Sequence, residues 1–202
     1  MIKNIIFDMG NVLIRFDRQE LMERAGIAPE DRKLVNDRVF SSVEWVRLDR
    51  GSMTEPEAAD SICRRLPERL QEKARRLVCH WDELVEPIEG VAELIYELKE
   101  KGYRLFLLSN ISRRQREYWP RIPGSECFEG CLLSAEEGIM KPDDRIYSLI
   151  LSRFSLAAEE CVFIDDAPQN IEASQRNGIA GIMFYGDAQE LRKELSELGI
   201  DV

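Results

Sequence analysis

The stretch that most constrains this chain is Asn4-Ile-Ile-Phe-Asp8, followed by Met9-Gly10-Asn11 and the apolar pair Val12-Leu13. Ile5, Ile6 and Phe7 form an apolar run without polar alternation, the pattern of a strand covered on both faces. Such strands belong to parallel sheets flanked by helices. In open sheets of that kind ligands bind in the crevice beyond the carboxyl ends of the strands. A carboxylate at the tip of a central strand, as Asp8 would be, is therefore presented to that crevice. An aspartate ending an apolar run is also an ordinary turn residue capping its own backbone. The rest of the chain decides between the two.

Downstream the pattern changes twice. Residues 16–86 hold no convincing strand, but residues 18–25, 29–40, 54–66 and 67–81 carry apolar side chains at helical spacing. Thr54-Glu-Pro-Glu57 joins a hydroxyl N-cap to an early proline and early acids, a strong helix start. From Glu86 helices and strands alternate. Helices are expected over 87–101, 112–118, 143–154, 168–177 and 187–198. Strands are expected over 103–108, 128–134, 161–164 and 179–184. This alternation implies βαβ units and a parallel α/β sheet, Rossmann-like in its layering. The expected organisation is a core of residues 1–15 and 87–202, with residues 16–86 inserted after the first strand as a small helical cap. Hinges are expected near Arg15-Phe16 and Glu86-Pro87.

Charge narrows the partners. With 28 Lys and Arg against 38 Asp and Glu, the net charge is −10 and no basic tract occurs. Nucleic acids and anionic membranes select basic surfaces, so neither is an expected partner. No apolar run reaches membrane-spanning length and the N-terminal residues do not read as a signal peptide. The five cysteines lack CxxC spacing, and Cys127 and Cys131 with the lone His80 do not complete a zinc site. Reduced thiols in a cytoplasmic protein are the simplest expectation.

Three strands end in polar residues at what should be one edge of the sheet: Asp8, Ser109-Asn110 and Asp165-Asp166. Lys141 stands in a loop after the third strand. Each has an ordinary alternative, such as Ser109 as an N-cap, the paired acids as helix-start residues or Lys141 as a solvated surface lysine. None of these explains their recurrence at successive strand ends. Together they form a coherent phosphoryl-transfer set. Asp8 would be the nucleophile, and magnesium would sit on Asp8 and Asp166, with Asp165 bound directly or through water. Ser109, Asn110 and Lys141 would hold the phosphoryl oxygens.

The segments Phe-Asp8-Met-Gly10-Asn-Val-Leu, Leu-Leu-Ser109-Asn110, Met-Lys141-Pro142-Asp-Asp-Arg145-Ile-Tyr147 and Phe-Ile-Asp165-Asp166-Ala-Pro-Gln-Asn170-Ile resemble the haloacid dehalogenase superfamily of hydrolases, end to end. The resemblance implies strand order 5-4-1-2-3, which sets Asp8 beside Asp166. It also implies an aspartyl-phosphate on Asp8 and magnesium held by Asp8, the Gly10 backbone carbonyl and Asp166. Asp-x-Gly-Asn-Val and Tyr118-Trp119-Pro120 are similar to the bacterial α-D-glucose-1-phosphate phosphatase branch. The expected activity is thus magnesium-dependent hydrolysis of a small phosphomonoester, with a sugar phosphate such as glucose 1-phosphate as the example the resemblance implies.

One departure matters. Most phosphatases of the family carry a second aspartate two residues after the nucleophile as general acid and base, and here that position is Gly10. General acid–base help is worth ~10²–10⁴ in rate. A metal-independent dehalogenase also lacks that aspartate but usually has Tyr-Gly-Thr where this chain has Gly10-Asn11-Val12. A non-catalytic phospholigand sensor is the alternative from outside enzymology. On the cap, Phe16, Trp45, Arg47 and Asp49 are candidates to face the site, although Trp45 reads first as core. His80 reads as a surface residue.

Overall fold

Strands Asn4–Phe7 (β1), Arg104–Ser109 (β2), Phe128–Leu133 (β3), Cys161–Asp165 (β4) and Ala180–Met183 (β5) form one parallel sheet in the order β3-β2-β1-β4-β5. This is the expected order, with β1 central. The computed structural model describes residues 1–202. Every residue of β1 is buried, as its unbroken apolar run requires. The two-residue period of the strand divides these side chains between faces. Ile5 and Phe7 join Leu105, Leu107, Val162 and Ile164 in one core, whereas Ile6 joins Phe106, Leu108 and Phe163 in another.

Five helices follow β1: Arg18–Arg24 (α1), Pro29–Arg38 (α2), Val43–Asp49 (α3), Glu55–Cys63 (α4) and Glu68–Cys79 (α5). They enclose their own core of 17 buried residues, among them Leu21, Val35, Ile62 and Leu77. Four were expected; α3 was not. Ser42 caps it, its Oγ accepting from Trp45 N at 3.1 Å. Buried Glu44 ties α3 to α4 through Ser61 at 2.8 Å and to Arg65 at 2.6 Å. The chain leaves and re-enters the sheet layer along one seam. Arg15 N donates to Glu86 O at 2.8 Å, and Ile14 pairs with Pro87 in an antiparallel bridge.

The remaining helices are Val91–Glu100 (α6), Gln115–Tyr118 (α7), Ser134–Glu137 (α8), Asp144–Phe154 (α9), Pro168–Arg176 (α10) and Ala188–Glu197 (α11). The helix expected over 87–101 starts only at Val91, because Pro87 is held in the seam. No helix is long and apolar enough to cross a membrane.

Candidate active site

Register builds the site. Phe7 lies opposite Ile164 in β4 and Leu107 in β2, so the residues just beyond these positions emerge together at the sheet edge. Asp8 N donates to Ile164 O at 2.9 Å, which extends the β1–β4 pairing by one residue and fixes where the carboxylate points.

Lys141 is the hub. It is 4% exposed, and its Nζ lies 2.9 Å from Asp8 Oδ1 and 2.6 Å from Asp165 Oδ2. Asp165 is fully buried and its oxygens are spoken for. Besides Lys141, Asn170 Nδ2 donates to both at 3.0 Å, and Ala167 N donates to Oδ1 at 2.8 Å. Asn110 grips the lysine backbone at two points, Nδ2 donating to Lys141 O at 2.9 Å and Oδ1 accepting from Lys141 N at 2.8 Å. Asn110 and Asp165 thus both position Lys141, a tighter task than the sequence suggested for either. Ser109 is buried at the end of β2 and lines the same cavity as Asp8.

Asp166 is half-buried and accepts from Asn11 Nδ2 at 2.9 Å. Asn11, at φ 55°, also accepts from Phe16 N through Oδ1 at 2.9 Å. One side chain therefore ties the acid pair to the start of the helical insertion. Carboxylate oxygens of Asp8, Asp165 and Asp166 all lie within 4.8 Å of one another.

Three acids face one ammonium, and the electrostatics show the excess. Burial pushes the Asp8 carboxyl up to about 6; Lys141 opposes the rise and Asp165 adds to it. Burial disfavours the Lys141 charge, but Asp8 and Asp165 outweigh it and hold the ammonium above its ordinary value. Asp8 Oδ1 is buried without a well-aligned hydrogen bond. Crowded oxygens with surplus negative charge fit a hard divalent cation.

Above the acids lies a cavity of about 330 Å³ whose lining includes Gly10. The helical insertion supplies most of its wall, chiefly an aromatic group of Phe16, Phe40, Trp45 and Trp81. Phe16 stands 6.0 Å from Phe40, 5.9 Å from Trp45 and 5.0 Å from Trp81 between ring centroids. Arg18 is over the Phe40 ring at 5.8 Å, and Asp49 completes the polar part of that wall. Of the four insertion residues considered from sequence, Phe16, Trp45 and Asp49 reach the cavity and Arg47 is not part of its lining. Trp45 serves both readings, packing on the core while lining the cavity. His80 is exposed and pairs with Glu83 at 3.5 Å, as a surface residue would.

Sequence reasoning missed Arg18, Phe40 and Trp81 as cavity residues and Asn11 and Asn170 as positioning residues. Asn11 had one signal, since asparagine tolerates the left-handed turn needed right after the nucleophile strand. The others depend on how α1, α2, α5 and α10 and the turns that follow them dock, which periodicity does not encode.

The chain belongs to the haloacid dehalogenase-like hydrolases, whose family model matches residues 2–178. It is 26% identical over 194 residues to a sesquiterpene phosphatase of Aspergillus oryzae, covering 89% of this chain and 88% of that protein. It is likewise 26% identical to D-ribitol-5-phosphate phosphatase of Bacteroides thetaiotaomicron over 193 residues, covering 88% of this chain and 89% of that one. A drimenol cyclase of Aspergillus calidoustus, 23% identical over 98% of this chain, is longer, and the match spans 37% of it. Among solved structures, a family enzyme of Bacteroides thetaiotaomicron in complex with magnesium and inorganic phosphate superposes with a TM-score of 0.76 at 23% identity, covering 95% of this chain and 99% of that one. The expected enzyme class, a phosphoric monoester hydrolase, is the class of the named phosphatase relatives.

Proposed function

We propose that this chain is a magnesium-dependent phosphatase of small phosphomonoesters, with residues 16–86 acting as a cap over a core of residues 1–15 and 87–202. The observation that carries the reading is the Lys141 hub. One buried ammonium, fixed by Asp165 and Asn110, is held 2.9 Å from the Asp8 carboxylate at the floor of a capped cavity. A binding-only site has no need of a desolvated carboxylate aimed at its ligand. The phosphatase relatives support the same chemistry.

Asp8, the Gly10 carbonyl and Asp166 would hold the metal, with Asp165 as an outer contributor because its oxygens already serve Lys141 and Asn170. When bound, magnesium would offset the charge of two anions brought together and orient the phosphoryl group. The chain's own residues do the rest. Lys141 lowers the charge at Asp8 and holds a phosphoryl oxygen, and Ser109 bonds another. Asp8 attacks phosphorus in line with the leaving oxygen and forms an aspartyl-phosphate, which water then hydrolyses. The aromatic wall excludes solvent while this proceeds.

The wall also bears on the substrate. Its aromatic faces suit a leaving group with an apolar or ring face, and a hexose offers such a face for stacking on Trp45. Glucose 1-phosphate, the substrate of the bacterial branch the sequence resembles, is therefore one arm of the test. Phosphate release from para-nitrophenyl phosphate, then from a panel of sugar and apolar phosphomonoesters, would be measured with and without magnesium for wild type and Asp8→Asn. Magnesium-dependent release lost in Asp8→Asn is the expected result. Release unaffected by Asp8→Asn would rule out this nucleophile, and silence of the wild type would favour the sensor or dehalogenase readings.

A further inference from the structure

We propose that Asp49, carried on the cap helix α3, is the proton donor and acceptor that position 10 lacks. This inference rests on the phosphatase reading of the same site. Gly10 and Asp49 line one cavity with Asp8, Ser109 and Asn110. A Cβ added at Gly10 would meet only Phe16 Cβ, at 3.9 Å, so the absence of a side chain there is not a steric demand. The proton-transfer task has moved to another residue.

Asp49, half-buried on the cavity wall, differs from the more deeply buried acids of the cap. Asp31 is paired with Arg69, Glu44 with Arg65 and Ser61, and Asp82 with Arg114 and Arg121. Asp49 has neither a hydrogen-bonding partner nor a cation at its carboxyl; the charge it senses is that of Asp8. It is also the last residue of α3, where the free carbonyls of the helix end disfavour a negative charge. An acid in such a place is stabilised as the neutral carboxylic acid, the form a proton donor needs. Burial, with Asp8 adding to it, pushes the group up to about 8. The other ionisable groups of this cavity are Asp8 and, from α1, Arg18, and the Tyr118 phenol of α7 senses the Asp49 charge.

Its position is fixed to the core and not only to the cap. Ser134 Oγ donates to Asp49 O at 2.5 Å and accepts from Ile111 N at 2.8 Å, so one hydroxyl joins Asp49 to the segment bearing Ser109 and Asn110. Two residues on, Gly51 at φ 73° passes so close to Ala135 that a Cβ would fall 1.9 Å from its carbonyl oxygen. The turn after α3 is thus docked directly beside the reacting centre.

The proton inventory balances. As Asp8 Oδ bonds to phosphorus, the bond from phosphorus to the ester oxygen breaks and its electron pair goes to that oxygen. Asp49 gives its proton there, releasing a neutral alcohol. Asp49, now a carboxylate, takes a proton from the water that attacks the aspartyl-phosphate. The bond from phosphorus to Asp8 then breaks with its pair returning to the carboxylate. Inorganic phosphate leaves and Asp49 is again protonated.

The test is kcat/KM for a series of aryl and alkyl phosphates with wild type, Asp49→Asn and the double variant Gly10→Asp/Asp49→Asn. Since kcat/KM reports the step that expels the alcohol, Asp49→Asn should lose ~10²–10⁴ on alkyl esters and less than about tenfold on para-nitrophenyl phosphate. The double variant should regain much of the alkyl activity. An equal loss on both ester classes, or a double variant no better than the single one, would assign Asp49 a structural role and overturn the proposal. A wild type that turns over while Asp49→Asn keeps its full alkyl activity would overturn Asp49 alone. A wild type silent on every ester would overturn the phosphatase reading and this inference with it.

Discussion

The sheet edge and the cap treat their carboxylates in opposite ways. At the sheet edge Asp165 sits in a closed network of Lys141, Asn170 and the Ala167 N–H, where its charge is matched in a fixed geometry. On the helical insertion Asp49 lies half-buried on the cavity wall, and no side chain or backbone N–H of the chain bonds its carboxyl. A matched buried charge holds position well but is a poor proton carrier, because both protonation states cannot be satisfied by one set of donors. An unmatched one gains and loses a proton readily, at a cost in stability. On the proposed reading this is a division of labour, in which the sheet edge would position the phosphoryl group and the helical insertion would carry the proton.

The sharpest break of this comparison is at Lys141. Lys141→Met leaves two buried carboxylates facing each other, and losing one partner of a buried ion pair costs about 3–5 kcal/mol. Chemical denaturation should show most of that loss at pH 7 and less near pH 5, where the Asp8 carboxyl, already raised to about 6, takes a proton. A loss independent of pH would mean that packing, not charge, is what Lys141 supplies.

Next are the two glycines. Gly51→Ala drives a Cβ into Ala135 O at a position of positive φ, whereas Gly10→Ala meets only ordinary contact at 3.9 Å. Thermal melts should place Gly51→Ala several degrees below wild type and Gly10→Ala within the range of a surface substitution, about 0.5 kcal/mol. Equal melts would remove the argument that the α3 turn is wedged on the core.

Asn170→Ala is a smaller break. It strips two hydrogen bonds of 3.0 Å from Asp165, and stranding a buried acceptor costs about 1–3 kcal/mol. Lys141 still holds that carboxylate, so the cost should fall in the lower part of the range by urea titration.

The effect at Asp49 has the opposite sign. Because the Asp49 pKa is raised from 3.8 to about 8 in the folded chain, the native state binds more protons than the unfolded state between those values. Stability from this group therefore falls as pH rises across that window. Asp49→Asn removes the penalty, so its melting temperature should exceed that of wild type, and the gap should widen from pH 5 to pH 8. A variant less stable than wild type throughout would show that the carboxyl has a partner after all.

The same contrast explains what the sequence disclosed. Asp8, Ser109, Asn110, Lys141, Asp165 and Asp166 were legible because each follows a short apolar run or precedes a helix start, and parallel register alone gathers strand ends at one edge. The sheet order accompanied the resemblance those motifs carry. Helix α3 was not legible. Its apolar residues point both ways, with Val43 and Val46 exposed at 53% and 46% while Leu48 is buried, so no helical stripe shows. Its existence rests on the Ser42 cap and on buried Glu44 reaching Ser61 and Arg65, which are tertiary facts. Asp49 was only a candidate for the cap face, because one acid among 38 carries no mark of its place on the cavity wall until α3 is docked. Asn110 and Asp165 were legible as polar strand-end residues but not as supports of Lys141, since that role lies in contacts across 31 and 24 residues.

The central claim is that Asp8 takes the phosphoryl group and that Asp49 serves both halves of the reaction. Rapid quenching of wild type and Asp49→Asn with para-nitrophenyl phosphate and magnesium, followed by peptide mass spectrometry, tests it most directly. Para-nitrophenolate leaves without a proton, so the first half should proceed in the variant, whereas water activation should stall. The account predicts a phosphoryl group on Asp8 that accumulates in Asp49→Asn with a burst of nitrophenolate and stays scarce in wild type. Phosphorylation elsewhere, or equal accumulation in both proteins, would contradict it.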